Sequence, residues 1–376
     1  MFGAMKLSAA YTALLDNKRQ SWIDYDRGIS IILVTYRHAY EMLRNAGLNF
    51  DLFPMIGYMN VFLFGFRMPL FFITSGIFLS SSLEKKGLKS YNFSRFQNIL
   101  YPMFIWGILQ ISLQVAFSGY TNFSHHSLDY IWLIFDPRRT GQFWYLHTLF
   151  FVGMLYAILK IKFKFSSKMQ IPLGILMYTA LALIRQKGIY LGFAMDILQY
   201  YVFFALGDLI SNAIRKKENK RYFESFVLLL ILVPIFCLVQ YNFAAINIKQ
   251  GSNYFIEHKM PLFFVVIALV GCALSINISF LLGKYNLLGY LRIIGYHSIH
   301  IYCMQIILMA STRTVLLRAF DHLPSPLVLT LIIVAGLMLP ILFYNLLMRL
   351  NCWWLFSPQK PMATTKQEAQ KTMVNL

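Results

Sequence analysis

The sequence predicts an all-α, polytopic integral membrane protein with about ten membrane-spanning helices and both termini cytoplasmic. Three observations carry that reading. Of the 376 residues, 58% are hydrophobic and only 13% charged, with a mean hydropathy of +0.57, whereas soluble chains carry about 25% charged residues. Apolar runs of about twenty residues, the length that crosses a hydrocarbon core of about 30 Å, recur along the chain. The charges gather between them in short basic runs: Lys85, Lys86 and Lys89; Lys160, Lys162, Lys164 and Lys168; Arg215, Lys216, Lys217, Lys220 and Arg221.

In chain order the predicted spans are 28–43, 55–81, 99–117, 143–159, 171–184, 192–214, 223–240, 261–282, 293–310 and 327–350. The first and fifth are short, and the second is long enough to tilt or to break near Pro69. With the N-terminus inside, ten spans put all three basic runs and the tail after Asn351 on the cytoplasmic side, as lysine and arginine in short loops require. Residues 118–142 and 241–260 then form the long external loops. The organisation is one transmembrane unit, 1–350, followed by a cytoplasmic tail, 351–376. No cleaved signal is expected, because the opening residues are weakly apolar and Lys18 and Arg19 follow them.

The net charge of +19 raises the question of a nucleic-acid partner. Its confinement to short inter-span runs, and the lack of any recognition motif, exclude that class. Cys237, Cys272 and Cys303 fall inside apolar runs and Cys352 just beyond one, so no disulfide framework is expected. No metal site is predicted either. The histidines lie on separate spans, His125 and His126 are a lone loop pair, and no HExxH or CxxC spacing occurs.

Ionisable groups inside spans are costly and mark function. The first span holds the densest set, with Asp24, Asp26 and Arg27 at its mouth and Arg37, His38 and Glu41 in its second half. Eleven residues separate Arg27 from His38, which is three turns plus about 20°, so both side chains share one helix face about 16 Å apart. Snorkelling of Arg27 and packing of His38 is the alternative for each residue taken singly. The second span carries Arg67, which needs an anion, a carboxylate or a carbonyl at mid-span, together with Pro69, Ser75 and Gly76. His147, Asp196, Asp208, His297, His300 and Gln305 complete the polar inventory.

Five segments, in order, are similar to one family. WIDYDRGISIILVTYRH resembles the opening of membrane-bound O-acyltransferases of the acyltransferase 3 type, whose first span carries Arg, ten residues, then His. GFRMPLFFITSGIFL resembles the second span of the branch that includes fucose 4-O-acetylases. SRFQNILYP, FWYLHTLFF and GYHSIHIYCMQ resemble the later motifs. Arg67, Asn98 and Gln305 depart from the usual pattern, standing where that family has His, a second basic residue and His.

The resemblance implies acyl transfer, usually of acetyl from cytoplasmic acetyl-CoA, to a hydroxyl of a lipid-linked or extracellular glycan in a bacterial inner membrane. No permanently bound cofactor is implied. Acyl-CoA, a saccharide and membrane lipid are the expected partners. A neutral histidine, with a pKa of about 6.5, suits removal of a hydroxyl proton, so His38 is expected to act as the base or to carry the acyl group briefly, with Arg27 and Asp24 organising the cytoplasmic end. Arg27, Arg95, Lys85 and Lys86 are the expected contacts for the phosphates of coenzyme A. Arg67, Ser75, Trp144 and His147 are the expected acceptor or oxyanion groups.

A transporter or flippase of a glycan intermediate is the competing class, since buried charges on ten spans also describe transporters. The Arg27 and His38 pair has no counterpart in the second half, as related halves would require. A glycan polymerase would lean on Arg138 and Arg139 of FDPRRTGQ alone.

Overall fold

The computed structural model describes residues 20–117, 127–320 and 323–360. His125 and His126, the N-terminal segment to Arg19 and the tail beyond Lys360 lie outside them. Among the described residues, nine helical stretches are long and apolar enough to cross a membrane. A tenth long helix, α1 (Ser21–Asn45), is more polar and more charged than these nine. Each of these ten overlaps its predicted span, the third extending back to Leu79 and the ninth running from Ser298 to Ala319 rather than over 293–310.

The second span is two helices, α2 (Pro54–Phe62) and α3 (Phe64–Ile77), and it breaks at Leu63 rather than at Pro69. The break has a partner inside the protein: the Arg67 guanidinium donates to the carbonyl of Asn60, 3.2 Å away, just ahead of it. Pro69 is accommodated within α3. Helix α4 (Leu79–Arg95) turns sharply at Gly87, whose φ of 71° favours glycine. A π-helical turn, Phe96–Leu100, joins it to α5 (Tyr101–Ala116).

The remaining helices of eight residues or more are α6 (Trp144–Ile161), α7 (Ser167–Gln186), α8 (Phe193–Arg215), α9 (Phe226–Lys249), α10 (Pro261–Tyr285), α11 (Gly289–Tyr296), α12 (Ser298–Ala319) and α13 (Ser325–Arg349). Local chemistry sets several of their ends. The Ser166 and Ser225 hydroxyls accept from the main-chain N–H of Met169 and Leu228. Pro261 opens α10, and Asn286 ends it in the left-handed region. Helix α9 runs on through Lys249, so the first half of the expected external loop 241–260 is helical. The short α11 ahead of α12 is a separate element, divided from it at His297.

Close crossings are built on glycine. A Cβ on Gly76 in α3 would lie 2.1 Å from the Phe204 carbonyl of α8, and one on Gly207 in α8 would lie 2.1 Å from the Ile73 carbonyl. The two helices therefore touch backbone to backbone, as small residues allow inside a membrane. Gly28 of α1 and Gly295 of α11 do the same, a Cβ on Gly295 falling 1.8 Å from the Asp24 carbonyl. The second crossing pins α1 to α11, and α3, α10, α12 and α13 also pack on α1.

At the end of the bundle where the basic runs emerge, Asp208 of α8 is fully buried. It accepts from Lys160 at 2.6 Å, Tyr156 at 2.8 Å and Ser167 at 2.7 Å, and also from Ser80. One carboxylate thus ties four helices together, and Asp26 accepts from Thr74 and Ser275 to tie α1 to α3 and α10.

Candidate active site

Helix α1 presents one stripe of side chains to two cavities. Arg27 and Ile31 line a basic-end cavity of about 450 Å³. Val34, His38 and Glu41, further along the same stripe, line a loop-end cavity of about 290 Å³. The spacing of four, three, four and three residues keeps all five on one face, as the eleven-residue step predicts. Tyr302 of α12 lies on the wall of both cavities, and its buried hydroxyl donates to the main-chain oxygen of Gln142. Gln142 itself lines the loop-end cavity.

The basic-end cavity gathers Arg27, Lys86 and Arg95 with Ser75, Ser94 and Asn98. Gly87 turns the chain directly after Lys86, bringing that lysine to the rim. The Arg95 guanidinium donates to the Leu149 carbonyl and rests against Gly153, where a Cβ would lie 2.6 Å from it. The segment after α13 folds back onto this end. The Tyr101 hydroxyl donates to the Trp354 carbonyl at 2.7 Å, and buried Phe356 packs on His300 and forms part of the cavity wall.

In the loop-end cavity Arg67 is almost wholly buried and donates to the Leu33 carbonyl at 3.1 Å as well as to that of Asn60. Arg37 pairs with Glu41 at 2.9 Å, donates to the Tyr254 hydroxyl at 2.8 Å and lies over the Phe64 ring. The segments 136–142 and 250–260 add to the wall beside residues of α5, α6, α8, α10 and α12. From one come Arg138, Thr140, Gly141 and Gln142, and from the other Tyr254 and Glu257. Arg138 forks onto Asp196 at the start of α8, 2.6 to 2.9 Å away, with its guanidinium 3.9 Å from the centre of the Trp144 ring. Burial opposes that charge, but the Asp196 carboxylate outweighs it and holds the Arg138 pKa above its usual value. Gln199 joins the cluster, donating to Glu257 and accepting from Arg185.

The expected site residues thus separate into three groups. Arg27, Lys86, Arg95 and Ser75 share the basic-end cavity, and His38, Arg67 and Trp144 share the loop-end one. Ser75 therefore stands with Arg27 and not with Arg67. Asp24, Lys85 and His147 line neither cavity. Asp24 is buried where its backbone meets Gly295, because the close crossing of α1 and α11 occupies that face. Lys85 is exposed. His147 is buried against Phe151 and Phe193, with a main-chain partner in Ile134.

Several lining residues were not singled out from the sequence. Gln110 and Gln114 stand at i and i+4 in an apolar helix, a polar stripe that is visible in the sequence. Tyr200, Tyr254 and Glu257 carry no such signal, since only folding brings them beside α1, whereas Tyr302 falls within the GYHSIHIYCMQ segment.

A family model described as an acyltransferase domain, of the acyltransferase 3 type, matches residues 20–345. Nodulation protein NolL of Sinorhizobium fredii is 25% identical over 229 residues, and nodulation protein NolL of Mesorhizobium japonicum 26% identical over 225. Each match covers 59% of this chain and 57% of the relative, so the chain spans little more than half the length of the curated relatives it matches. No solved structure matches it. The chain is an integral membrane protein that belongs to the acyltransferase domain family.

Proposed function

We propose that this protein moves an acyl group, acetyl in the first instance, from acyl-CoA in the basic-end cavity to a hydroxyl of a saccharide in the loop-end cavity. The observation that supports this most directly is the single stripe of α1, with Arg27 at one cavity and His38 at the other. The basic end offers three cations to the phosphates of coenzyme A. Positive residues collect at that end, and the positive-inside rule supports reading it as the cytoplasmic side; the bacterial inner membrane rests on the family resemblance.

The loop-end cavity has the chemistry of a sugar site. Trp144, Tyr200 and Tyr254 offer flat apolar faces, and Gln110, Gln114 and Glu257 offer paired polar atoms to neighbouring hydroxyls. His38 removes the proton of the attacking hydroxyl as its oxygen bonds to the thioester carbon. The positive charge of Arg67 stabilises the oxyanion of the tetrahedral intermediate. The carbon–sulfur bond then breaks, the thiolate takes the proton back from His38, and the products are an ester and coenzyme A with a free thiol. The likeness of GFRMPLFF to the fucose 4-O-acetylase branch makes a fucosyl glycan the first acceptor to try.

Membranes carrying the protein are incubated with labelled acetyl-CoA and saccharide acceptor. Label that enters the saccharide and is released by alkali is the expected result. Saccharide that crosses the bilayer without ever gaining ester label would overturn the proposal in favour of transport.

A further inference from the structure

A further cavity, about 520 Å³, lies between α1, α5 and α12. Its inner wall is His38, Glu41, Gln110, Gln114 and Ile306, all of which also line the loop-end cavity. Its outer wall carries Leu113, Phe117 and Val315, exposed by 40%, 55% and 66% on the flank of the bundle. On a spanning helix such side chains face hydrocarbon. Arg313 and Arg318 border the cavity too, each engaged in interactions of its own.

The trough begins at the height of His38. Helices α1 and α12 both run from the basic-end cavity towards the loop end, and Thr35 donates to Gln305 at 2.8 Å across them. That register sets His38 level with Leu308, and Val315 lies about 10 Å further along α12. Ile307 and Ala310 line the stretch beside it.

A thioester carbon brought to His38 carries sulfur, a carbonyl oxygen and an acyl chain, and it receives the hydroxyl oxygen. The sulfur comes on its arm from the basic-end cavity, and the hydroxyl comes from the loop-end one. An acyl chain longer than a methyl group needs an apolar path in another direction. The trough supplies that path, with polar atoms where the thioester carbonyl sits and apolar side chains beyond. A saccharide gains nothing from Leu113, Phe117 and Val315, whereas each pair of methylenes moved there from water is worth about tenfold in affinity.

We infer that this trough holds the acyl chain of the donor, so that a straight-chain acyl group of several carbons fits the enzyme better than acetyl. This deepens the proposed function and rests on it for the approach of the donor to His38. Its chain-length dependence is read from binding, without any transfer.

The test is isothermal titration of the full chain in phosphatidylcholine nanodiscs with acetyl-CoA and hexanoyl-CoA, without saccharide, against empty nanodiscs. Hexanoyl-CoA is expected to bind at least about tenfold more tightly than acetyl-CoA. Ala310→Trp, which places an indole in the trough, should remove most of that preference. Val315→Gln, at an exposed position where folding is not at stake, should lower it in part. Each ratio is read within one protein, so unfolded material cancels. Equal affinities in the unaltered protein would mean that bilayer lipid keeps the trough and would overturn the inference. So would a preference that neither change lowers. Chain-length-dependent binding without transfer to any saccharide would uphold the trough and count against the proposed function. Binding of neither thioester would overturn both.

Discussion

Arg27 and His38 stand on one stripe of α1 yet open into different cavities, with Tyr302 on the wall between. The distance along the helix, about 16 Å, lets one end of the stripe hold the anionic part of a donor while the other meets an acceptor.

Donor binding should therefore depend on Arg27. Arg27→Ala is expected to raise the KM for acyl-CoA roughly tenfold to a hundredfold, the range for a hydrogen bond to a charged group, with the acceptor KM unchanged. Arg27→Lys should recover little if the phosphate is held by both arms of the guanidinium. Initial rates at varied acyl-CoA check this, and a fully active lysine variant would point to simple membrane anchoring.

The Gly295 crossing positions Arg27 from behind. Gly295→Ala forces α1 away from α11, because its Cβ would lie 1.8 Å from the Asp24 carbonyl and 2.9 Å from the Gly28 nitrogen. A cost of about 1–3 kcal/mol and a weaker acyl-CoA affinity are expected. Gly289→Ala, with nothing within 4 Å of the added carbon, should change neither. Melting in detergent and donor titration provide the comparison.

Much of this arrangement is legible in the sequence, and the limits are physical. Nine of the spans follow from apolar length, and the α1 stripe follows from eleven residues at helical pitch. The break at Leu63 does not, since LFGFRMP shows proline as the obvious breaker while the partner of the broken turn is the Arg67 guanidinium, which only three-dimensional proximity reveals. Asp24 and Asp26 read alike at the mouth of the span. Only helix packing shows that one faces α11 and the other bonds Thr74 and Ser275. The acceptor cavity is the least legible part, because α5, α8 and two loops contribute to it from positions far apart in the chain.

That cavity makes a separable prediction. Trp144→Ala should raise the acceptor KM more than about tenfold by removing a large aromatic face, and Tyr254→Phe should have a smaller effect by removing the hydroxyl that holds Arg37. Neither should move the donor KM. A change in the acyl-CoA KM instead would mean that the two cavities do not divide the substrates as described.

Asp208 is a structural tie and should show in stability alone. Asp208→Asn leaves Lys160 beside a neutral partner, and with that lysine still 22% exposed the cost should be about 2–4 kcal/mol. Replacing both, as Lys160→Met with Asp208→Leu, should return much of it. Acyl transfer per folded molecule should be unchanged in both, measured against the folded fraction.

The most direct measurement is the rate of alkali-releasable acyl transfer by purified His38→Gln protein in vesicles, at saturating acyl-CoA, beside its melting temperature and its affinity for acyl-CoA. The account predicts a loss of roughly a hundredfold to ten-thousandfold in rate, the range for a general base, with folding and donor affinity unchanged. A His38→Gln enzyme that keeps a rate within about tenfold of the native one, below the range for removal of a base, would contradict it.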